Sequence, residues 1–358
     1  MRKCDIVIVT WNQLEYTRLC VASVMAHTDV PSRLIIVDNG SSADTVDYLK
    51  SLTPNKFVEI KLIFNNENLG AIKARNTGIR EFEADYLCLL DNDVEVTPGW
   101  LSKMIRLAEE NPGIGAINPS SNNFGQVPPA GTGLNDYAKS LEGLKGQYLE
   151  IGTCISFCML IKGGIVKKIG LLDENFEVMF YEDTDYSMRV NKEGYRCVIQ
   201  KDVYIWHHGH MTSGRLKRQS EIADKNRDIF YKKWGRPLRI MWCLSSGEED
   251  KKTKEALGSC VELARDGNFV YLFTRGGLPK EGAQHANVHI TALKDKGFGC
   301  FCLWRLITKR KKSYDMVIAD DNGIISLMTP FGFFYKARVM PAGDLNSMLA
   351  AAHVLKFK

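Results

Sequence analysis
A chain of 358 residues, 45% hydrophobic and 25% charged, has the make-up of a globular protein and length for two domains of roughly 100–200 residues. Collagen-like, coiled-coil and wholly disordered readings are excluded, and no apolar run reaches the roughly 18 residues that a membrane-spanning helix needs. The net charge of +5 is uneven: residues 1–235 carry 28 Lys+Arg against 30 Asp+Glu, whereas residues 236–358 carry 19 against 12. Two surfaces with different partners are therefore expected. Residues 1–10 read as a strand after two basic residues, not as a secretion signal. The ten cysteines, mostly inside apolar runs, suit a reducing compartment better than a disulfide framework. The cytoplasm is the expected location.

Along the chain, short β-branched apolar runs predict strands over 4–10, 33–38, 60–65, 85–91 and 114–118. Helical spacing falls between them, over 13–28, 45–52, 71–82 and 98–110, the last with Pro98 in its first turn. Strands alternating with helices predict a mostly parallel sheet covered on both faces, an α/β fold. Residues 120–150, with Pro128, Pro129, Gly131 and Gly133, break the rhythm and read as a functional loop or lid. Strands are expected again over 153–162, 195–199 and 203–206, with helices over 180–190 and 215–234. Gly235-Arg236-Pro237, where the charge balance changes, marks a domain boundary, giving domains 1–235 and 236–358. Beyond it the α/β rhythm resumes, with strands over 238–244, 268–274, 288–291 and 316–319 and a helix over 253–266.

In an open parallel sheet, ligands bind beyond the carboxyl ends of the strands. Four predicted ends carry polar residues: Thr10 and Asn12, Asp38, Asn65 to Asn68, and Asp91-Asn92-Asp93. The first βα turn is Thr10-Trp11-Asn12-Gln13, with no Gly-x-Gly-x-x-Gly, and no Walker loop exists. A diphosphate bound here would lack a glycine cradle. A divalent cation could hold it instead, because two carboxylates two apart on an extended segment point the same way. His207, His208 and His210 could suggest zinc, but no Cys or His partners have fitting spacing.

Seven ordered segments carry a resemblance: IVIVTWNQ, LIIVDNGSSADT, NNENLGAIKARNTGI, YLCLLDNDVEVTPGW, CMLIKGGIVKKIGLLDENF, YEDTDYSMRV and VYIWHHGHMTSG. Over residues 4–215 the chain resembles inverting family 2 glycosyltransferases of the GT-A fold. The resemblance implies a metal-dependent transfer of a hexose-type sugar from a UDP- or dTDP-linked donor to a glycan or lipid-linked acceptor hydroxyl, as in cell-surface polysaccharide synthesis. By matching position, Asp91 and Asp93 are the metal-binding Asp-x-Asp, with His207 a further metal or diphosphate contact. The implied cation is Mn2+ or Mg2+. Thr10, Asn12, Asp38 and Asn68 fall in the donor-binding segments, Arg75 where a cation meets the diphosphate, Glu182 at the acceptor, and Asp183 at the general base. Inverting displacement needs one oriented carboxylate and no enzymatic nucleophile. Asp183 at a helix N-terminus suits that.

Two other classes compete. A nucleotidyltransferase would want a glycine-rich first loop, and a non-catalytic nucleotide-sugar or glycan binder would lose the base. Metal-dependent donor hydrolysis separates a transferase from a binder. Residues 238–320 are faintly similar to the N-terminal half-domain of GT-B glycosyltransferases, which implies a Rossmann-like accessory module. Residues 298–312 mix bulky apolar residues with Lys309-Arg310-Lys311-Lys312, as a peripheral contact to an anionic membrane surface, on the inner face, would require. A buried helix with a solvated end explains that stretch as well. No nucleic-acid partner is expected, and oligomerisation stays open.

Overall fold
The computed structural model describes residues 3–209, 219–245, 251–277, 285–308 and 313–358. His210, the expected helix start near 215 and Lys309 to Lys312 lie outside these. The chain divides into two compact units, 1–229 and 230–358. The divide falls inside a helix, ahead of the Gly/Pro step read from sequence.

The first unit runs β1 (Cys4–Thr10), α1 (Leu14–His27), β2 (Ser32–Asp38), α2 (Ala43–Ser51), β3 (Val58–Phe64), α3 (Ala71–Ile79), β4 (Tyr86–Asp91), β5 (Val94–Glu95) and α4 (Trp100–Glu110). It continues through β6 (Ile114–Ser121), α5 (Leu134–Ser140), β7 (Tyr148–Ile151), β8 (Cys158–Lys162), α6 (Gly163–Ile169), α7 (Glu182–Lys192), β9 (Arg196–His207) and α8 (Gln219–Trp234). The sheet order is β3-β2-β1-β4-β8-β6-β9-β5, with β7 on β9. β1, β2, β3 and β4 are parallel, and β8 enters antiparallel between β4 and β6. The fold is thus α/β, with a mostly parallel sheet, as the alternation required.

Central strands read as unbroken apolar runs because helices cover both faces. β2 is buried along its whole length, and Ile6, Ile8, Leu34 and Ile36 share one core with Val21, Val24 and Trp100. Two predicted strands over 195–206 are one strand, β9. Its register against β6 shifts at Pro119/Ser120, and its far end pairs with β5, Val94 opposite His207. That bend carries His207 to the tip of β4. The 120–150 stretch is less irregular than expected, since it holds α5 and β7.

The second unit holds β10 (Arg239–Leu244), α9 (Lys251–Arg265), β11 (Phe269–Arg275), β12 (Val288–Leu293), α10 (Phe298–Thr308), β13 (Met316–Ala319), α11 (Asn322–Tyr335), β14 (Arg338–Pro341) and α12 (Leu345–Lys356). Its order is β12-β11-β10-β13-β14, every pair parallel. This is a doubly wound arrangement that reverses direction between β10 and β13. One core includes residues of α9 and α12, and a second includes residues of α10 and α11. β14, α11 and α12 were not expected from sequence.

Candidate active site
β4 ends at Asp91, and a tight turn through Asn92 leads to Asp93 and β5. Asp91, Asp93 and His207 bring one ligand atom each within 4.8 Å of one another. His207 Nε2 lies 3.0 Å from Asp93 Oδ1 and 3.8 Å from Asp91 Oδ2. The ring stacks on Phe157 at 5.4 Å, and its Nδ1 is 2.8 Å from the Asn123 side-chain amide. Asn122 holds the His207 backbone on both sides, accepting from its N–H at 2.9 Å and donating to its carbonyl at 2.7 Å. Burial opposes protonation of His207, but the Asp93 hydrogen bond and the Asp91 charge outweigh it and push the imidazole above its ordinary value. Two carboxylates and one imidazole form a donor set suited to a divalent cation. His208 faces elsewhere, its Nε2 2.6 Å from Glu95 Oε1.

Arg75, on α3, joins this strand tip to the start of α7. One guanidinium nitrogen donates to Asp91 at 2.6 Å and another to Glu182 at 2.9 Å. The cation expected at a diphosphate is therefore held between two acids in this structure. Glu182 is buried, and its Oε2 has no hydrogen-bond partner. Burial, then the Asp183 charge, push its carboxyl up to about 7, against the pull of Arg75. Burial also raises Asp183, opposed by the Ser156 N–H, Arg75 and the Thr184 N–H. Those two amides lie 3.4 and 2.7 Å from its carboxylate oxygens.

The segment leading into α7 is strained. Val178, Phe180 and Tyr181 have φ of 55°, 76° and 69°, the left-handed region that β-branched and bulky residues avoid. Asn226 of α8, fully buried, clamps it. Its Oδ1 accepts from Glu177 N–H at 2.9 Å, and its Nδ2 donates to the carbonyls of Glu177, Met179 and Phe180 at 2.9, 2.7 and 3.1 Å. Sequence reading missed this clamp, because nothing local to residue 226 signals a partner so far back along the chain.

A cavity of about 600 Å³ opens between these elements. Asn68, Arg75, Asp91, Asp93, Glu182, Asp183 and His207 all line it. Thr10, Asn12 and Asp38 do not, and their side chains serve the loops instead. The Thr10 hydroxyl is buried 2.9 Å from that of Thr17. Asn12, itself left-handed at φ 58°, accepts from the Ser42 N–H at 2.8 Å, while its own N–H donates to Ser41 Oγ at 2.8 Å. Asp38 Oδ2 accepts from the Ser41 N–H at 3.2 Å, and its buried Oδ1 has no partner. Their neighbours Trp11 and Asn39 reach the cavity.

Residues 5–170 match the family model described as Glycosyl transferase family 2. The chain is 34% identical over 107 residues to YwdF of Bacillus subtilis, described as an uncharacterized glycosyltransferase, covering 30% of this chain and 38% of that protein. It is 22% identical over 242 residues to an N-acetylglucosaminyl-diphospho-decaprenol L-rhamnosyltransferase of Mycobacterium tuberculosis, covering 59% of this chain and 77% of that one. Among solved structures, the mannosyltransferase PcManGT from Pyrobaculum calidifontis, in complex with GDP-Man and Mn2+, aligns with a TM-score of 0.50. That alignment spans 100% of this chain and 81% of the other at 12% identity, a likeness of fold alone. The matched segment ends before Glu182, Asp183 and His207 and says nothing of them. Over residues 5–170, within its first unit, the chain is similar to glycosyl transferase family 2.

Proposed function
We propose that the protein is an inverting glycosyltransferase that moves a sugar from a nucleotide-diphosphate donor, UDP- or dTDP-linked, to the hydroxyl of a glycan or lipid-linked acceptor. One observation carries the reading: the Asp91, Asp93 and His207 cluster and Asp183 line a single cavity. Asp93 and His207, with Asp91, would hold a divalent ion such as Mn2+ or Mg2+, which when bound stabilises charge growing on the leaving diphosphate. Asp183 takes the proton of the acceptor hydroxyl. The hydroxyl oxygen forms its bond to the anomeric carbon from the face opposite the diphosphate, as the bond to that diphosphate breaks. The protein's fixed amides at Ser156 and Thr184 orient the base before substrate arrives. Glu182, beside the base in the same cavity, would hydrogen-bond the acceptor.

The lipid-linked substrate in the name of the mycobacterial relative favours a lipid-linked acceptor. Such an acceptor would bring the protein to the inner face of a membrane as a peripheral enzyme. No described helix is long and apolar enough to cross one. Residues 236–358 would then act as an accessory module.

Thermal shift with a panel of nucleotide sugars and Mn2+ identifies the donor, because a ligand that binds only the native state raises the melting temperature. Slow Mn2+-dependent release of the nucleotide from that donor, abolished in Asp93→Ala, is expected. Failure of every nucleotide sugar to shift the melt or be hydrolysed would overturn the enzyme reading.

A further inference from the structure
Large aromatic side chains left in water on one surface mark a face that something covers. In the second unit, α10 and α11 pack side by side over one core and turn Phe298, Cys302, Leu306, Ile324 and Met328 inward. Their other sides carry Phe301 and Trp304, 36% and 50% exposed with ring centroids 5.5 Å apart, and Phe333 and Phe334, 85% and 77% exposed. The last two are the most exposed large hydrophobic residues among those described.

Topology brings these groups to one edge. All strands of this sheet are parallel; α10 joins β12 to β13 and α11 joins β13 to β14. Each helix therefore runs back against the strands and ends where the next strand begins. Trp304 lies in the second half of α10, and Phe333 and Phe334 lie in the last turn of α11. Lys336 and Arg338, both exposed, follow at the same edge, at the start of β14.

The charge on this edge selects its occupant. Residues 296–314 and 322–343 contain no Asp or Glu. Asp315, at the start of β13, is paired with Arg236 at 2.7 Å. Aromatic rings beside cations that form no ion pair among the described residues match the boundary between acyl chains and phosphate head groups. A second copy docking by the same face would set like charges against each other across the two-fold axis.

We propose that this α10–α11 edge docks on a bilayer containing anionic phospholipid. Trp304, Phe333 and Phe334 enter the head-group boundary, and Lys336 and Arg338 face lipid phosphates. The inference rests on the second unit alone and stands apart from the glycosyl-transfer reading.

The test is sedimentation of the full-length protein with vesicles of phosphatidylcholine alone and of phosphatidylcholine with phosphatidylglycerol. Binding is expected to the anionic vesicles, weakened by salt. The double variant Phe333→Ser/Phe334→Ser should bind about tenfold more weakly or worse. Its melting temperature should match the parent, since both rings lie in water. Lys336→Gln/Arg338→Gln should weaken binding several-fold on anionic vesicles and leave neutral ones unaffected. No sedimentation with anionic vesicles, equal sedimentation with neutral ones, or binding indifferent to the Phe333/Phe334 change each overturns the proposal. Self-association without vesicles that vanishes in the Phe333/Phe334 variant also overturns it, because the face would then belong to a second copy. Donor hydrolysis measured on the same samples keeps its outcome separate from that of the proposed enzyme.

Discussion
Both units are built from parallel strands and covering helices, yet their strand tips differ in how charge is answered. At the reversal point of the second unit, Asp320 accepts from the Ser245 N–H at 2.8 Å and Ser245 Oγ at 2.7 Å, and pairs with Lys252 at 2.8 Å. That acid is complete within the fold. The cavity of the first unit is lined by four carboxylates, Asp91, Asp93, Glu182 and Asp183, against Arg75 and His207. Acids that outnumber their cations, held close by a rigid sheet, call for a cation from outside. A parallel sheet supplies a place for a ligand, and the charge balance at that place decides whether it is a site.

Variants can break or sharpen this contrast. The largest effect is expected at Asp183: Asp183→Asn should lower transfer about 10²–10⁴-fold while donor affinity, read by titration, stays near the parent value. Near-normal turnover would remove Asp183 as the base. Asp93→Ala comes next. The variant should lose most of the stabilisation that Mn2+ gives the parent in a thermal melt, while its melt without metal moves little. Asp320→Ala should show the opposite pattern, losing roughly 1.5–3 kcal/mol in denaturant titration with hydrolysis rates unchanged. If Asp320→Ala abolished activity instead, the contrast between the two tips would be wrong.

Asn226→Ala probes the strained segment. Releasing Val178, Phe180 and Tyr181 from their clamp should lower turnover about tenfold, with a smaller change in donor affinity. A loss confined to stability would make Asn226 structural only. The smallest expected effect is a pH slope. Folded Glu182 holds its proton more tightly than the unfolded chain, so the native state binds more protons between about 4.5 and 7. Its favourable contribution is full below that window and fades as pH rises through it. Glu182→Gln should flatten this part of the stability profile, measured by denaturant midpoint without metal.

Much of the site was legible from the chain. Asp91 and Asp93 follow a buried run, and their place at a strand's carboxyl end singles them out. Glu182 and Asp183 open a helix whose first turn is acidic. Which strand-end residues reach the cavity follows strand parity. Val9, Trp11 and Asn39 line the cavity, whereas Thr10 and Asp38 do not, because neighbours on an extended segment face opposite sides. A polar residue at a strand end reveals the end, not the side it faces. In the second unit, the aromatic run Phe331 to Tyr335 has no clean helical period, which hid α11 and its exposed pair.

Local pattern alone determined most strands, many helices and the acidic tip, since apolar period and turn chemistry act over a few neighbouring residues. Only tertiary structure brought His207 beside Asp93, through a register shift in β9, and Asn226 beneath residues 177–180. Those contacts join residues 114 and 49 positions apart, and the packing of whole elements sets them. No short stretch of sequence holds the information that places them.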